Sequence, residues 1–308
     1  MFVDNAQIDR ISGSLVGLAV GDALGAPLEF MPREVVRQQY PNGLREMIPS
    51  ALWHKGEYTD DTETALLLSE SLLSCGRFDS RDFARRIQRW AQNAKDVGAQ
   101  MSRVIQRPSY TTNPEKVVQE DYADHPDQSA GNGALMRCVP VALFCLNSPE
   151  LLVEYSRASA AVTHGDPKAH SACVLLNGWI REAIIKHIRD ARDVGIRMLL
   201  SEERVVWRRF RAIERYEEPE IRSTGYTVDT LEAAAWAFLT TGSFADAVIC
   251  GANLGDDADT VAAVAGALAG AFYGYSAIPR RWLEQLKEQD RIRSTAIRLA
   301  QAGMRTTT

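Results

Sequence analysis

The sequence predicts an all-α fold, with all 308 residues in one domain. Apolar residues recur at the three- and four-residue spacing of amphipathic helices, whereas runs of alternating β-branched residues bounded by turns are few. No internal repeat or low-complexity linker divides the chain. Its 45% hydrophobic and 24% charged residues are typical of a globular protein with a substantial core.

The helical pattern places the predicted helices in order along the chain. They cover residues 6–25, 62–75, 79–94, 133–146, 149–162, 168–188, 202–216, 229–240, 243–252, 260–274 and 279–303. Two intervening segments, residues 32–56 and 107–133, are rich in turn residues and are predicted to be long loops. Loops of that length inside a domain are often functional.

The first helix and the 260–274 helix each carry a stripe of small residues. Glycine stands at positions 13, 17, 21 and 25 in the first, and at 266, 270 and 274 in the second. A helical glycine costs about 1 kcal/mol relative to alanine, so repeated glycine indicates close backbone approach. We expect these two helices to pack at the centre, although a small-residue core without any role in chemistry explains the glycines equally well.

Two acidic clusters almost 200 residues apart each precede an apolar helical run, Thr59-Asp60-Asp61-Thr62 and Asp256-Asp257-Ala258-Asp259-Thr260. Asp and Thr favour helix N-termini, so each cluster is predicted to cap a helix, and either cluster alone would be an ordinary cap. Brought together, their carboxylates would repel one another strongly without cations. Oxygen donors of this kind suit Mg²⁺, Mn²⁺ or Ca²⁺, so the pair predicts a metal site.

Composition argues against several classes of protein. The net charge of −5 gives no reason to expect a nucleic-acid partner. The five cysteines are scattered without CxxC spacing and are predicted to be reduced core residues, and the histidines form no HExxH zinc pattern. The basic segment 204–215, which contains Trp207 and Phe210, is predicted to be an amphipathic helix with a solvated cationic face.

Location is predicted from two further patterns. The N-terminus lacks the basic stretch and unbroken apolar segment of a signal peptide. The longest apolar run, Val261 to Tyr275, is shorter than the roughly 18 residues of a membrane span. We therefore expect a cytoplasmic, monomeric enzyme that does not bind a membrane.

Five motifs in order along the chain resemble the ADP-ribosylglycohydrolase family, the family of the dinitrogenase-reductase-activating glycohydrolase. The motifs are residues 21–29 (GDALGAPLE), 59–62 (TDDT), 131–137 (GNGALMR), 163–164 (TH) and 255–260 (GDDADT). The resemblance extends from Gly13 to about Leu286, and its specificity comes from the order of the five motifs. It implies a compact helical domain that holds two Mg²⁺ or Mn²⁺ ions at the base of a cleft for ADP-ribose.

The resemblance also implies roles for individual residues. Glu29 falls at the catalytic acidic position and Asp22 at that of a supporting carboxylate. The implied metal ligands are Thr59, Asp60, Asp61, Asp257, Asp259 and Thr260. Asp256 stands where the family commonly has glycine, which leaves its effect on the metals open, and it is not assigned as a ligand.

The implied substrate-binding residues are a phosphate-binding loop, Ser129-Ala130-Gly131-Asn132-Gly133, and His164 beside the distal ribose. Independently, a glycine-rich turn that enters a helix at Ala134 would present amides and a positive dipole end to a diphosphate. A plain helix start is the alternative for the loop. His164 alone would most often be a core or kink histidine, because Gly165-Asp166-Pro167 breaks the helix there.

Asp96 resembles the acidic residue that arginine-specific members place against the guanidinium, a cation that suits a carboxylate. A surface aspartate at a helix end is the alternative. We expect hydrolysis of arginine-linked ADP-ribose on a modified protein, through an oxocarbenium-like transition state. Serine-linked or O-acetyl ADP-ribose, a catalytically silent ADP-ribose binder and a two-metal phosphohydrolase remain alternatives.

Overall fold

Fifteen α-helices, connected by turns and short 3₁₀ helices, form the computed structural model, which describes residues 4–306. In chain order they are α1 (Asn5–Gly25), α2 (Arg33–Gln39), α3 (Asp60–Cys75), α4 (Ser80–Trp90), α5 (Ala99–Ile105), α6 (Pro114–Asp124), α7 (Val139–Phe144), α8 (Pro149–Ala161), α9 (Pro167–Lys186), α10 (Arg192–Arg197), α11 (Thr227–Thr240), α12 (Phe244–Ala252), α13 (Ala258–Tyr273), α14 (Arg280–Leu283) and α15 (Gln289–Thr306). Over these residues, β pairing is limited to two isolated bridges. The all-α prediction is confirmed.

The two glycine-striped helices, α1 and α13, cross in direct backbone contact. A Cβ added at Gly17 would lie 2.3 Å from the carbonyl oxygen of Gly266, and one added at Gly13 would lie 2.4 Å from that of Gly270. Gly25 meets Asp259 at the other end of the contact, so the helices run antiparallel. The last turn of α1 and the first turn of α13 therefore lie side by side.

Helix α13 lies at the centre of the core. Its residues from Ala258 to Ala271 are buried, because α1, α9, α11 and α12 surround it. Residues 5–28, which include α1, are long and apolar enough to cross a membrane by length and composition alone. Within the structure, 94% of that apolar window is buried, so packing against protein accounts for its hydrophobicity.

Three of the predicted helices were wrong in extent or type. Residues 133–146 form a 3₁₀ turn and the short α7 instead of one helix, since Pro140 can start a helix but cannot continue one. The 279–303 helix divides into α14 and α15 at Glu288, which has a positive φ of 53°. Residues 202–216 contain only 3₁₀ turns, and Ala212 leaves the helical region at φ −137°.

The basic segment does not form the predicted amphipathic helix, although Arg208, Arg211 and Arg215 are exposed to solvent as the predicted cationic face required. Trp207 and Phe210 are fully buried, and the Trp207 indole donates to Ser171 on α9. Arg209 donates to the carbonyl of Glu220, and its Nε lies 3.2 Å from the carboxylate of Glu232. Buried aromatic side chains thus anchor this segment as a folded connection between α10 and α11.

The two predicted long loops contain helices that the sequence pattern did not indicate. Helix α2 lies within residues 32–56 and buries only Val36, whereas α6 lies within residues 107–133 and begins at Pro114. Such short helices with few buried residues give a weak periodic signal. All five cysteines are free thiols, of which Cys138, Cys145 and Cys173 are buried.

Replacement of Gly17 by alanine tests the contact between α1 and α13. We expect Gly17→Ala to lower the free energy of unfolding by about 3 kcal/mol or more, because the new methyl group must displace backbone atoms. Gly242→Ala is the matched control, because a Cβ at that position meets no atom within 4 Å. Urea denaturation of both variants measures the effect, and equal stabilities would contradict the close crossing.

Candidate active site

A cavity of about 400 Å³ opens where α1 ends and α3 and α13 begin. Its lining combines the two acidic clusters with the glycine-rich loop and the segment before α5. The predicted site residues that line it are Glu29, Asp60, Asp61, Asp96, Gly131, Asn132, Gly133, His164, Asp257, Asp259 and Thr260. Asp22, Thr59 and Ser129 lie outside the lining. The cavity volume is within the range of small-molecule sites.

Asp22 on α1 fixes the start of α3 through hydrogen bonds. Its carboxylate is fully buried and accepts hydrogen bonds from the amide of Thr59 (2.8 Å), the amide of Thr62 (3.0 Å) and the hydroxyl of Thr62 (2.5 Å). The Thr59 hydroxyl caps the helix by accepting from the Asp61 amide. Together these contacts fix the first turn of α3, which carries Asp60 and Asp61, against α1.

The start of α13 is built differently. Asp257 occupies the N-cap position, but its carboxylate accepts no capping hydrogen bond. It accepts instead from the side-chain amide of Asn132 (3.0 Å), which also donates to Thr230. Asp259 accepts from the amide of its neighbour Thr260. Asn132, predicted to bind substrate, is thus placed to orient the Asp257 carboxylate.

The glycine-to-aspartate departure at position 256 has a backbone explanation. Asp256 adopts a positive φ of 54°, a conformation that glycine adopts at little cost. Its amide and carbonyl pair with Met31 and Phe30, which joins this turn to the segment after Glu29. The exposed Asp256 carboxylate lies outside the cavity lining, near the Ser223 hydroxyl.

The carboxylates of the cavity perturb one another strongly. Burial raises the pKa of Asp60, Asp61 and Asp259 well above the usual range, and repulsion from neighbouring carboxylates adds to each shift. Burial, together with the charges of Asp257, Asp96 and Asp22, raises the pKa of Glu29 to about 8. In the described part of the chain, none of these carboxylates forms an ion pair with a basic side chain.

The donor set fits hard divalent cations. The Oδ2 atom of Asp61 is buried without a hydrogen-bond partner, while Oδ1 accepts from the Thr260 hydroxyl (3.3 Å) on the other helix. An acceptor left unpaired among mutually repelling carboxylates is chemically suited to a cation. Among residues 4–306, however, no three Asp, Glu, His or Cys side chains already stand in a ligand arrangement. The clusters thus supply donors without a preformed cage.

The glycine-rich loop departs from the predicted helix N-terminus. Residues Asn132–Ala134 form a single 3₁₀ turn, so no helix dipole of useful length points at the cavity from here. The Gly131 amide donates to Gln100 and the Asn132 amide to the carbonyl of Gly225. The amides of Gly131 and Asn132 are thus occupied within the protein, and those of Gly133 and Ala134 are candidates to bind a phosphate.

Gln100 is a cavity residue that the sequence did not reveal. Its side-chain amide donates to the carbonyls of Ser129 (3.1 Å) and Thr163 (3.3 Å) while its oxygen accepts from Gly131. Gln100 therefore joins α5 to the loop and to the residue before His164. A lone glutamine in an unpredicted short helix carries no sequence signal for such a role.

Phe30 is a second unpredicted lining residue. It is 79% exposed at the edge of the cavity and has a positive φ of 60°. Asp96 enters the lining from the segment before α5, and its charge acts on both Glu29 and Asp60. The adjacent Lys95 turns away to pair with Glu57 (2.7 Å), so it supplies no positive charge to this acidic end of the cavity.

The chain is similar to known proteins over nearly its whole length. A family described as ADP-ribosylglycohydrolase matches residues 4–307. The chain is 36% identical to ADP-ribosylarginine hydrolase Tri1 of Serratia proteamaculans, over 96% of this chain and 80% of that protein. It is 35% identical to the ADP-ribosyl-[dinitrogen reductase] glycohydrolase of Rhodospirillum rubrum, over 96% and 97% of the two chains.

Similarity extends to solved structures. A structure named ADP-ribosylglycohydrolase-related protein complex superposes on this chain with a TM-score of 0.79 and 34% sequence identity. The match covers 98% of this chain and 100% of that one. The likeness in helical architecture therefore covers essentially the full described length.

The raised pKa of Glu29 predicts how pH affects the metal-free protein. The unfolded chain releases the Glu29 proton near pH 4.5, whereas the folded protein retains it to about pH 8. Stability is therefore lost as pH rises between these values. We expect Glu29→Gln to exceed the wild type in free energy of unfolding by about 2 kcal/mol at pH 8 and by little at pH 4.5, after discounting for solvent screening.

Denaturation in EDTA at both pH values measures this difference. Glu34→Gln is the matched control, because Glu34 is exposed on α2 and outside the cavity. A difference between Glu29→Gln and wild type that stays constant with pH would contradict the electrostatic account of the site.

Proposed function

The chain belongs to the ADP-ribosylglycohydrolase family, and from this membership we propose that it hydrolyses the N-glycosidic bond between ADP-ribose and an arginine side chain of a modified protein. The observation that carries the proposal is the acidic end of the cavity, where Asp96 lines the wall together with Glu29 and Asp60 and none of the three pairs with a basic side chain of the described residues. A guanidinium group is complementary to this end.

The choice of arginine over other acceptors is supported by charge. An arginine-linked substrate brings a delocalised planar cation, which gains from each nearby carboxylate. A serine- or acetyl-linked substrate is neutral at the acceptor and gains nothing comparable from Asp96. The name of the Serratia relative, which specifies ADP-ribosylarginine, supports the same choice.

Two Mg²⁺ or Mn²⁺ ions are the proposed cofactors. Asp60, Asp61, Asp257 and Asp259 would hold them, together with the hydroxyls of Thr59 and Thr260. Cations bound there would supply Lewis-acid polarisation of ribose hydroxyls and a lowered pKa for a bound water. Their charge would also offset the burial and the mutual repulsion that raise the pKa of Asp61 and Asp259.

The protein's own residues supply position and proton transfer. Glu29 reaches the cavity from the turn after α1 and is half-buried, so its carboxylate can accept a proton from the attacking water. Asp22 holds the first turn of α3, and Asn132 holds the Asp257 carboxylate. The expected step is attack of water at the anomeric carbon, with the guanidine as leaving group.

Release of free ADP-ribose tests the reaction class. Arginine-linked and serine-linked ADP-ribosyl peptides are incubated with the protein in Mg²⁺, in Mn²⁺ and in EDTA, and products are identified by mass. The proposal predicts free ADP-ribose from the arginine peptide, loss of release in EDTA and loss of release in Glu29→Ala. Release from the serine peptide alone would overturn the arginine assignment, and release of nucleoside monophosphate would indicate a phosphohydrolase.

Asp96→Asn tests the acceptor assignment. Removal of the charge keeps the side-chain size, and we expect kcat/KM for the arginine peptide to fall at least about 10-fold, equivalent to about 1.4 kcal/mol. Asp290→Asn, which removes an exposed carboxylate from the first turn of α15, is the matched control. Unchanged kcat/KM in Asp96→Asn would show that Asp96 does not contribute to recognition of the arginine acceptor.

Asp61→Asn tests the proposed cofactors. We expect Mn²⁺ or Mg²⁺ at about 100 times Kd to raise the melting temperature of EDTA-treated wild type by about 5 °C or more. In Asp61→Asn the gain should be lost, because the unpaired Oδ2 becomes a nitrogen that cannot bind a cation. Asp290→Asn should keep the full gain. An equal gain in Asp61→Asn, measured by differential scanning fluorimetry, would contradict cation binding at this cluster.

A further inference from the structure

A buried arginine without a carboxylate partner lies beneath the glycine-rich loop. Arg137 is 1% exposed and forms no ion pair within the described residues. Its guanidinium donates to the carbonyl of Gly133 (2.7 Å), the carbonyl of Ser159 (3.3 Å) and the hydroxyl of Thr163 (2.6 Å). Burying an unpaired cation is costly, so this arrangement calls for an explanation beyond packing.

The Thr163 hydroxyl connects Arg137 to His164. Its oxygen lies 2.7 Å from Nδ1 of His164, and these two side chains are the polar partners that the hydroxyl has within residues 4–306. A guanidinium can only donate, so the oxygen accepts from Arg137. The one hydroxyl proton then goes to Nδ1. If Nδ1 carried a proton itself, the hydroxyl proton would have no acceptor in a buried site.

This assignment places the proton of the neutral imidazole on Nε2. That nitrogen has no hydrogen-bond partner in the described residues, and His164 lines the cavity. Burial lowers the pKa of His164 well below its usual range, and the charges that act on it from Arg137, His170 and Arg103 all oppose protonation. His164 is therefore neutral, with its single N–H directed away from Thr163.

The backbone around His164 is held from several sides. His170 on α9 lies within hydrogen-bond distance of the His164 carbonyl (2.6 Å), and Gln100 donates to the carbonyl of Thr163. A Cβ at Gly133 would lie 3.0 Å from the His164 ring, and one at Gly131 would lie 3.4 Å from Nε2. The ring edge that carries Nε2 thus lies against the glycine-rich loop.

We propose that Arg137 and Thr163 are positioning residues that fix His164 as the Nε2–H tautomer, so that His164 donates a hydrogen bond to an oxygen of the diphosphate-ribose part of ADP-ribose. The proposal rests on the proposed function for the identity of the ligand. The short 3₁₀ turn presents no helix dipole to an anionic ligand. The buried Arg137 cation lies behind this turn and polarises the Thr163–His164 hydrogen bond toward the ligand. Arg137 and Thr163 do not touch the ligand themselves.

The tautomer is measured directly on the wild-type protein. With ¹⁵N-labelled histidine, long-range ¹H–¹⁵N correlation spectra distinguish protonated from unprotonated ring nitrogens, and His164→Gln assigns the His164 signals among the five histidines. The proposal predicts an unprotonated Nδ1 and a protonated Nε2 from pH 6 to pH 8. A protonated Nδ1 or an imidazolium would overturn it, whether or not any variant folds.

Thr163→Val tests the contribution to ligand binding. The substitution keeps side-chain shape and removes the hydroxyl, and we expect the Kd for ADP-ribose, measured by calorimetry with Mg²⁺ present, to rise about 10-fold. The kcat for the arginine peptide should change less than about 3-fold. Thr163→Ser should restore binding to within about 2-fold, and Thr295→Val, a buried threonine on α15, should bind as wild type does.

Failure of this proposal is distinguishable from failure of the proposed function. If the wild type neither binds ADP-ribose nor releases it from peptides, the function and the ligand assignment both fall, and the tautomer spectrum still reports on Arg137 and Thr163. If the wild type binds and hydrolyses but Thr163→Val binds equally well, the positioning role is wrong while the function stands.

Discussion

The direct backbone contact between α1 and α13 is the constraint on which the site depends. Because the glycines of α1 lie against backbone atoms of α13, from Gly270 at one end to Asp259 at the other, no side chain separates the two helices. Because the helices are antiparallel, the end of α1 lies beside the start of α13. Asp22 in the last turn of α1 and Glu29 just after it are therefore close to Asp257 and Asp259. A single added methyl group in this contact would separate the helices that carry the carboxylates.

Assembly of so many acids in one place has an energetic cost that the fold partly offsets. Asp22 is stabilised by three donors at the start of α3, and Asp257 by the Asn132 amide. Helices α3 and α13 are each 16 residues long, and the positive ends of their dipoles lie next to the two acidic clusters. The unpaired oxygen of Asp61 shows that this compensation is incomplete. Under the proposed function, bound cations would offset the remaining repulsion.

Sequence patterns predicted the parts of the site that rest on local chemistry. The glycine spacing indicated the central crossing, and the acidic clusters indicated two helix starts, since both signals repeat at a fixed period or stand at a helix end. The pattern could not predict Gln100 or the Arg137–Thr163–His164 contacts, because these depend on side chains brought together from distant segments. The helix predicted for residues 202–216 was wrong. Trp207 and Phe210 have helical spacing, but their burial holds this segment in 3₁₀ turns.

Anomalous diffraction at the manganese edge, from crystals grown with Mn²⁺, would locate the ions in the cavity. We expect two adjacent peaks there, with ligands from both the α3 cluster and the α13 cluster. Peaks bound by one cluster alone, or no peak in the cavity at Mn²⁺ concentrations that support activity, would contradict the claim that the α1–α13 crossing assembles one site from two distant parts of the chain.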